Sequence, residues 1–76
     1  EFKLYPNPTD GIVTIDLGDY NEAVNVQVMS VDGKVVYTDV VSKQIFTVDL
    51  TDYSEGIYTV LIGNGTDQRS FRVTKQ

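Results

Sequence analysis

The sequence predicts an all-β sandwich of about seven short antiparallel strands, and three observations carry that prediction. Apolar residues alternate with polar ones at period two through most of the chain, and helical periodicity is hard to find. Glycine-containing turn signals separate the alternating runs at the spacing of a small β domain. The chain has 76 residues with neither Cys nor His, so its core must be built by strand pairing and apolar packing alone. A sandwich fits this pattern better than a barrel. There is no internal repeat and no low-complexity linker.

The elements follow in order. "FKLY" (Phe2–Tyr5) reads as a short first strand, ended by Pro6 and Pro8. Proline cannot donate to a ladder, and each proline holds the preceding residue extended, so "LYPNPTDG" (Leu4–Gly11) is a stiff, outlying segment. In "GIVTIDL" Val13, Ile15 and Leu17 share one face. In "AVNVQVMSV" Val24, Val26 and Val28 alternate with Asn25 and Gln27. Asp32-Gly33 then interrupts the run before "KVVYTDVV" resumes it, which predicts a tight hairpin with Gly33 at positive φ. "QIFTVDL" places Phe46, Val48 and Leu50 together. "GIYTVLI" is apolar on both faces, with Tyr58, Val60 and Ile62 opposite Ile57 and Leu61, as expected of a central strand. Its Gly56 is read as allowing a tight approach beside a crowded neighbour. After the turn "GNGTDQ", the strand "RSFRVTK" sends Phe71 and Val73 inward.

Composition narrows the function. A net charge of −5 opposes binding to nucleic acid or to anionic membrane surfaces. No apolar run approaches the ~20 residues of a membrane-spanning helix, and no signal peptide is visible. The opening "EFKLYP" reads as the continuation of a longer chain, and residues 1–76 as one domain cut from a larger protein.

Chemistry has little to work with. Without His or Cys, no catalytic triad, no thiol nucleophile and no disulfide is available, and the usual zinc, copper and iron sites are excluded. The carboxylates remain, but a chain this short hardly builds the concave cleft that paired acids require. No catalytic residue, cofactor or small-molecule substrate is expected. Calcium is the one plausible metal, with Asp16, Asp19, Asn21 and Glu22 close together in "DLGDYNE"; lacking the ligand spacing of an EF-hand, this stretch reads better as a solvated turn. Asn64-Gly65-Thr66 matches the N-glycosylation pattern, which a glycine-rich hairpin turn explains more simply. The tyrosines Tyr5, Tyr20, Tyr37, Tyr53 and Tyr58 could make a sugar-binding platform if they faced outward together. Their scatter favours rings at the core edge with hydroxyls tied to partners.

Three stretches in order, "LYPNPTDG", "VMSVDGKVVY" (Val28–Tyr37) and "LTDYSEGIYTVLI" (Leu50–Ile62), followed by a strand ending at Lys75, resemble a known family. It is the type A C-terminal sorting domain of type IX secretion cargo in Bacteroidota, and the resemblance covers essentially the whole chain. It implies an immunoglobulin-like β-sandwich that acts as an export address, directing its cargo from the periplasm across the outer membrane by protein–protein recognition. The implied partners are the outer-membrane type IX translocon with its shuttle protein, and a sortase-like cysteine protease that removes the domain. The cargo would end secreted or at the cell surface. The positions matching the family's motifs are Pro6, Asn7, Pro8 and Gly11, then Asp32, Gly33 and Lys34, then Gly56 and Tyr58, and finally Lys75; Gln76 after Lys75 is a departure. A carbohydrate-binding or adhesive β-sandwich appended to a secreted enzyme is the alternative reading.

Overall fold

The computed structural model describes residues 2–65 and 67–76. Seven strands follow one another: β1 (Lys3–Tyr5), β2 (Ile12–Asp16), β3 (Val24–Met29), β4 (Val35–Val41), β5 (Ile45–Asp49), β6 (Gly56–Gly63) and β7 (Gln68–Lys75). They form a three-stranded sheet ordered β1-β2-β5 and a four-stranded sheet ordered β4-β3-β6-β7, with every ladder antiparallel. The two middle strands of the second sheet, β3 and β6, lie far apart in sequence, and the chain changes sheet after β2, β4 and β5. Such crossing between sheets marks the immunoglobulin-like sandwich.

Period-two patterning decides which side chains meet. Val13 and Ile15 of β2 with Val48 of β5 face Val24, Val26 and Val28 of β3, Tyr58, Val60 and Ile62 of β6, and Val73 of β7. Leu17 and Leu50, just past their strands, close the layer, and none of these twelve side chains is more than 5% exposed. Phe46 and Phe71 pack against this core and remain half-buried. β6 is central, as its sequence suggests, though Ile57 on its outer face stays 42% exposed.

The Asp32-Gly33 hairpin forms with one residue more than the tightest turn. The Gly33 N–H donates to the Ser30 carbonyl (2.9 Å) and the Ser30 N–H to the Lys34 carbonyl (2.8 Å), so Val31, Asp32 and Gly33 make a three-residue loop. Gly33 takes φ +84°, the left-handed position that ends such a loop. The β3–β4 register then shifts between Val28 and Met29, leaving Val36 as the extra residue of a bulge.

Strand directions divide the molecule into two poles. The β1–β2 segment, the β3–β4 hairpin, the β5–β6 loop and the end of β7 share one pole. The start of β1 lies at the other, with the β2–β3, β4–β5 and β6–β7 connections, because Lys3 pairs with Asp16 at the far end of β2.

Candidate functional site: the motif pole

The segment Pro6–Gly11 carries the chain from one sheet to the other. Its Tyr5–Pro6 and Asn7–Pro8 bonds are both cis. Pro6, Asn7 and Pro8 are exposed, yet Asn7 is anchored: its Nδ2 donates to the Arg72 carbonyl (2.8 Å) and its Oδ1 accepts from the Thr74 N–H (3.0 Å). The side-chain amide thus occupies the place of a neighbouring strand's peptide group on the free edge of β7. Two residues on, the backbone takes over. The Thr9 N–H donates to the Thr74 carbonyl and the Gln76 N–H to the Thr9 carbonyl, both at 2.9 Å, as a parallel bridge. A stretch whose prolines forbid an ordinary strand therefore still covers part of a sheet edge.

Thr9 is the buried polar residue of this pole. Its Oγ1 accepts from the Gly11 N–H (3.0 Å) and donates to the Ile12 carbonyl (2.8 Å), satisfying the hydroxyl at 2% exposure. Gly11 sits against the β5–β6 loop, where an added Cβ would stand 2.3 Å from Thr51 Cγ2 and 3.2 Å from Thr51 Cα. Its carbonyl accepts from the Leu50 N–H at 2.7 Å. The glycine is there because two backbones touch.

The β5–β6 loop is the hub. The Lys75 Nζ donates to the Tyr53 carbonyl (2.8 Å) and lies 3.5 Å from the Thr51 carbonyl, tying the end of β7 to the loop. The Tyr53 hydroxyl reaches across to the Val36 carbonyl in β4 (2.9 Å). The Tyr58 hydroxyl donates to the Ser54 carbonyl, four residues upstream, at 2.6 Å, while its ring packs in the core beside Tyr53 with centroids 6.3 Å apart. This is the tyrosine corner of immunoglobulin-like domains, an apolar ring with a polar tip that pins the turn before a central strand. Gly56 needs correcting: nothing lies within 4 Å of a Cβ placed there, so no crowded neighbour is involved. Its φ of +147° is the reason for a glycine.

On the other side of this loop lies the hairpin. Asp32 accepts a hydrogen bond from the Ser30 hydroxyl, which with backbone donors holds its carboxyl below the usual carboxylate range. Asp49 is likewise lowered, by the Thr51 hydroxyl (2.6 Å) and the Thr51 N–H (2.9 Å). Lys34 closes the hairpin through its carbonyl and leaves its side chain exposed. Hairpin and loop face each other across an open cleft of about 470 Å³.

The ten motif positions thus gather at one pole, around residues 50–56. Among the described residues no hydrogen bond joins Pro6–Pro8 to the Asp32 hairpin; Gly11 and Lys75 reach the loop from one side, and Val36 from the other. Thr9 and Thr51 belong to the same network without a motif in the sequence that marks them, while Tyr53 joins it as the core-edge ring with a tied hydroxyl that its residue type predicts. For Thr9 the available signal was a Thr two residues before Gly11 in a turn-rich stretch.

The other candidates do not assemble. Asp16 accepts from the Gly18 N–H (2.8 Å) and Glu22 from Asn64 Nδ2 (2.8 Å), which makes "DLGDYNE" a bonded turn; among the described residues no three acidic groups gather to hold a metal. Of the glycosylation pattern, Thr66 lies outside the described residues. The tyrosines form no platform: Tyr58 is in the core, Tyr53 and Tyr37 are half-buried with bonded hydroxyls, Tyr20 packs edge-on against Phe2, and Tyr5 stands apart on β1.

Fold and site together define a small β-sandwich whose recognisable residues build one end rather than a catalytic pocket. The family model of the secretion system C-terminal sorting domain matches residues 3–76. The chain belongs to this family, the C-terminal sorting domains of type IX secretion. A comparison with curated protein sequences finds no match.

Proposed function

We propose that residues 1–76 are the C-terminal sorting domain of a larger secreted protein and that the motif pole is the surface the export machinery reads. Membership of the family already places the chain among sorting signals that lead to the cell surface or beyond it. The finer reading is that the outer-membrane translocon and its shuttle protein bind this pole, and that a sortase-like cysteine protease then separates the domain from its cargo. The domain acts as a non-catalytic tag. One observation carries this reading: opposite ends of the chain meet, Asn7 and Thr9 on the end of β7, whose Lys75 is tied to the loop that reaches β4 through Tyr53. A sequence-scattered motif set that converges on one exposed pole suits recognition of the folded domain. Polarity supports it too, since anything joined ahead of Phe2 leaves from the opposite pole and keeps the motif pole clear.

The test is a fusion of residues 1–76 behind a periplasmic reporter in a bacterium that has the system. Export of the reporter is expected. A reporter that stays in the periplasm, with the domain folded, sinks the reading. Specific binding on a glycan array without export would instead favour the carbohydrate-binding alternative.

A further inference from the structure

The cleft between the β3–β4 hairpin and the β5–β6 loop has a chemistry that its role in the fold does not explain. Val31, Val36 and Ile57 give it an apolar lining, and Asp32, Asp52 and Glu55 give it carboxylates, with no Lys or Arg among the lining residues. Val31 is 84% exposed at the tip of the hairpin, a turn position that accepts most residue types. Ile57 is 42% exposed beside it. Neither the Asp52 nor the Glu55 side chain makes a hydrogen bond or ion pair among the described residues, so their charges remain available. Lys75, the cation nearest in the network, is engaged by the loop carbonyls. The one described ion pair, Arg69 with Asp67, is at the opposite pole.

We infer that this cleft docks a basic segment of a partner protein, one that sets a Lys or Arg beside an apolar side chain. The apolar group packs against Val31 and Ile57, and the cation lies along the rim that Asp32, Asp52 and Glu55 make acidic. Charge complementarity selects the occupant: the lining carries three carboxylates and no Lys or Arg, while Lys34 lies by Asp32 and Arg72 outside the cleft beyond Val31 and Ile57, so the cleft itself attracts a cation and repels an acidic or anionic surface. The exposed Val31 and Ile57 beside the carboxylates set it apart from a merely solvated acidic face. As the site of export recognition, the cleft rests on the sorting reading; as a peptide-binding surface it stands separately.

The test has two arms. In the first, the isotope-labelled 76-residue chain is titrated at low ionic strength with acetyl-Lys-Leu-Lys-Leu-Lys-amide and with its Glu-Leu counterpart. Shifts of the Val31, Asp32, Glu55 and Ile57 amides with the lysine peptide alone are expected. The double variant Asp52→Lys, Glu55→Lys should bind it about tenfold more weakly, the scale of two exposed attractions turned into repulsions. The charge-matched control Asp19→Lys, Glu22→Lys, at the other pole, should bind as the unaltered chain does. Equal responses to both peptides, or equal losses in both variants, would overturn the proposal. In the second arm the same variants are placed in the reporter fusion. Export retained by the control and lost by the cleft variant is the expected result. If the cleft variant is exported as well as the unaltered domain, the cleft is not the docking site and the sorting reading survives. If the unaltered fusion is not exported while the peptide result holds, the sorting reading fails and the binding cleft stands.

Discussion

The two poles of the sandwich are held by different kinds of bond. At the motif pole, side chains reach backbone groups far away in sequence: Asn7 to Arg72 and Thr74, Lys75 to Tyr53, Tyr53 to Val36. At the opposite pole side chains meet other side chains or stay within one turn: Asp16 with Gly18, Arg69 with Asp67, Glu22 with Asn64, and Phe2 with Tyr20 and Arg69. A side chain that replaces a strand on a sheet edge fixes where two segments lie relative to each other. An exposed pair on flexible stems fixes much less, because water competes for both partners. The difference teaches that the pole bearing the motifs is built to hold one shape, while the pole where the chain enters tolerates change.

The largest break in this asymmetry comes at Gly11. A methyl group there must displace Thr51, whose Cα stands 3.2 Å from the new atom, and so separate the first motif segment from the hub loop. Gly11→Ala is expected to cost roughly 2–3 kcal/mol, the range of overpacking at a site that cannot relax. Chemical denaturation checks it directly. A loss below about 0.5 kcal/mol would mean that loop and segment move apart freely.

A paired comparison sharpens the contrast further. Asn7→Ala removes two hydrogen bonds to β7, and we expect a loss of about 1 kcal/mol, modest because the site is exposed. Asp67→Asn, at the other pole, breaks an ion pair whose side chains are 51% and 45% exposed, and should cost under about 0.5 kcal/mol. Amide exchange adds a local readout: Thr74 and Gln76 should lose protection in the Asn7 variant and keep it in the Asp67 variant. Equal effects at the two positions would remove the distinction between the poles.

Much of this was legible in the chain, and the reasons are local. Val13, Ile15 and Leu17, or Val24, Val26 and Val28, announce a buried face because strand side chains alternate and burial follows the alternation. The tyrosine corner was half legible: a Tyr at the second residue after Gly56 suggested a ring in the core with a tethered hydroxyl, while its partner, Ser54, had to be seen. The Asn7 clamp has no local signal at all, since its acceptor and donor lie 65 and 67 residues away. Gly56 is a related case. A glycine before a strand looks the same whether a neighbour crowds it or its φ demands it, and only the folded backbone separates the two causes. The hairpin shows the intermediate case. Asp-Gly fixes that a turn occurs, but the bulge at Val36 sets its length through pairing with β3.

The smallest expected effect, and the most discriminating, is that acid and alkali act on different groups of the molecule. At the motif pole the Asp32 and Asp49 carboxyls are held below their ordinary range by hydroxyl and backbone donors. A lowered folded value means the charged form is favoured by folding, so this stabilisation is complete above the unfolded carboxylate range and fades as acid protonates the folded groups. At the opposite pole Tyr20 is raised, by burial of its ring and by the nearby charges of Glu22 and Asp67. A raised value favours the neutral phenol, so that contribution is present below the ordinary tyrosine value and is lost as the pH climbs through the folded one. Acid should therefore loosen the Ser30–Lys34 hairpin and the Thr51 turn first, and alkali the Phe2–Tyr20 packing together with Tyr37 of β4, which burial and Asp39 raise in the same sense. Amide shifts of Ser30 and Thr51 followed into acid, and the Tyr20 ring signals followed into alkali, read the two events separately. In Asp32→Asn the acid-induced change at Ser30 should vanish while that at Thr51 persists; if both persist, the hairpin's acid response does not come from the Asp32 carboxylate.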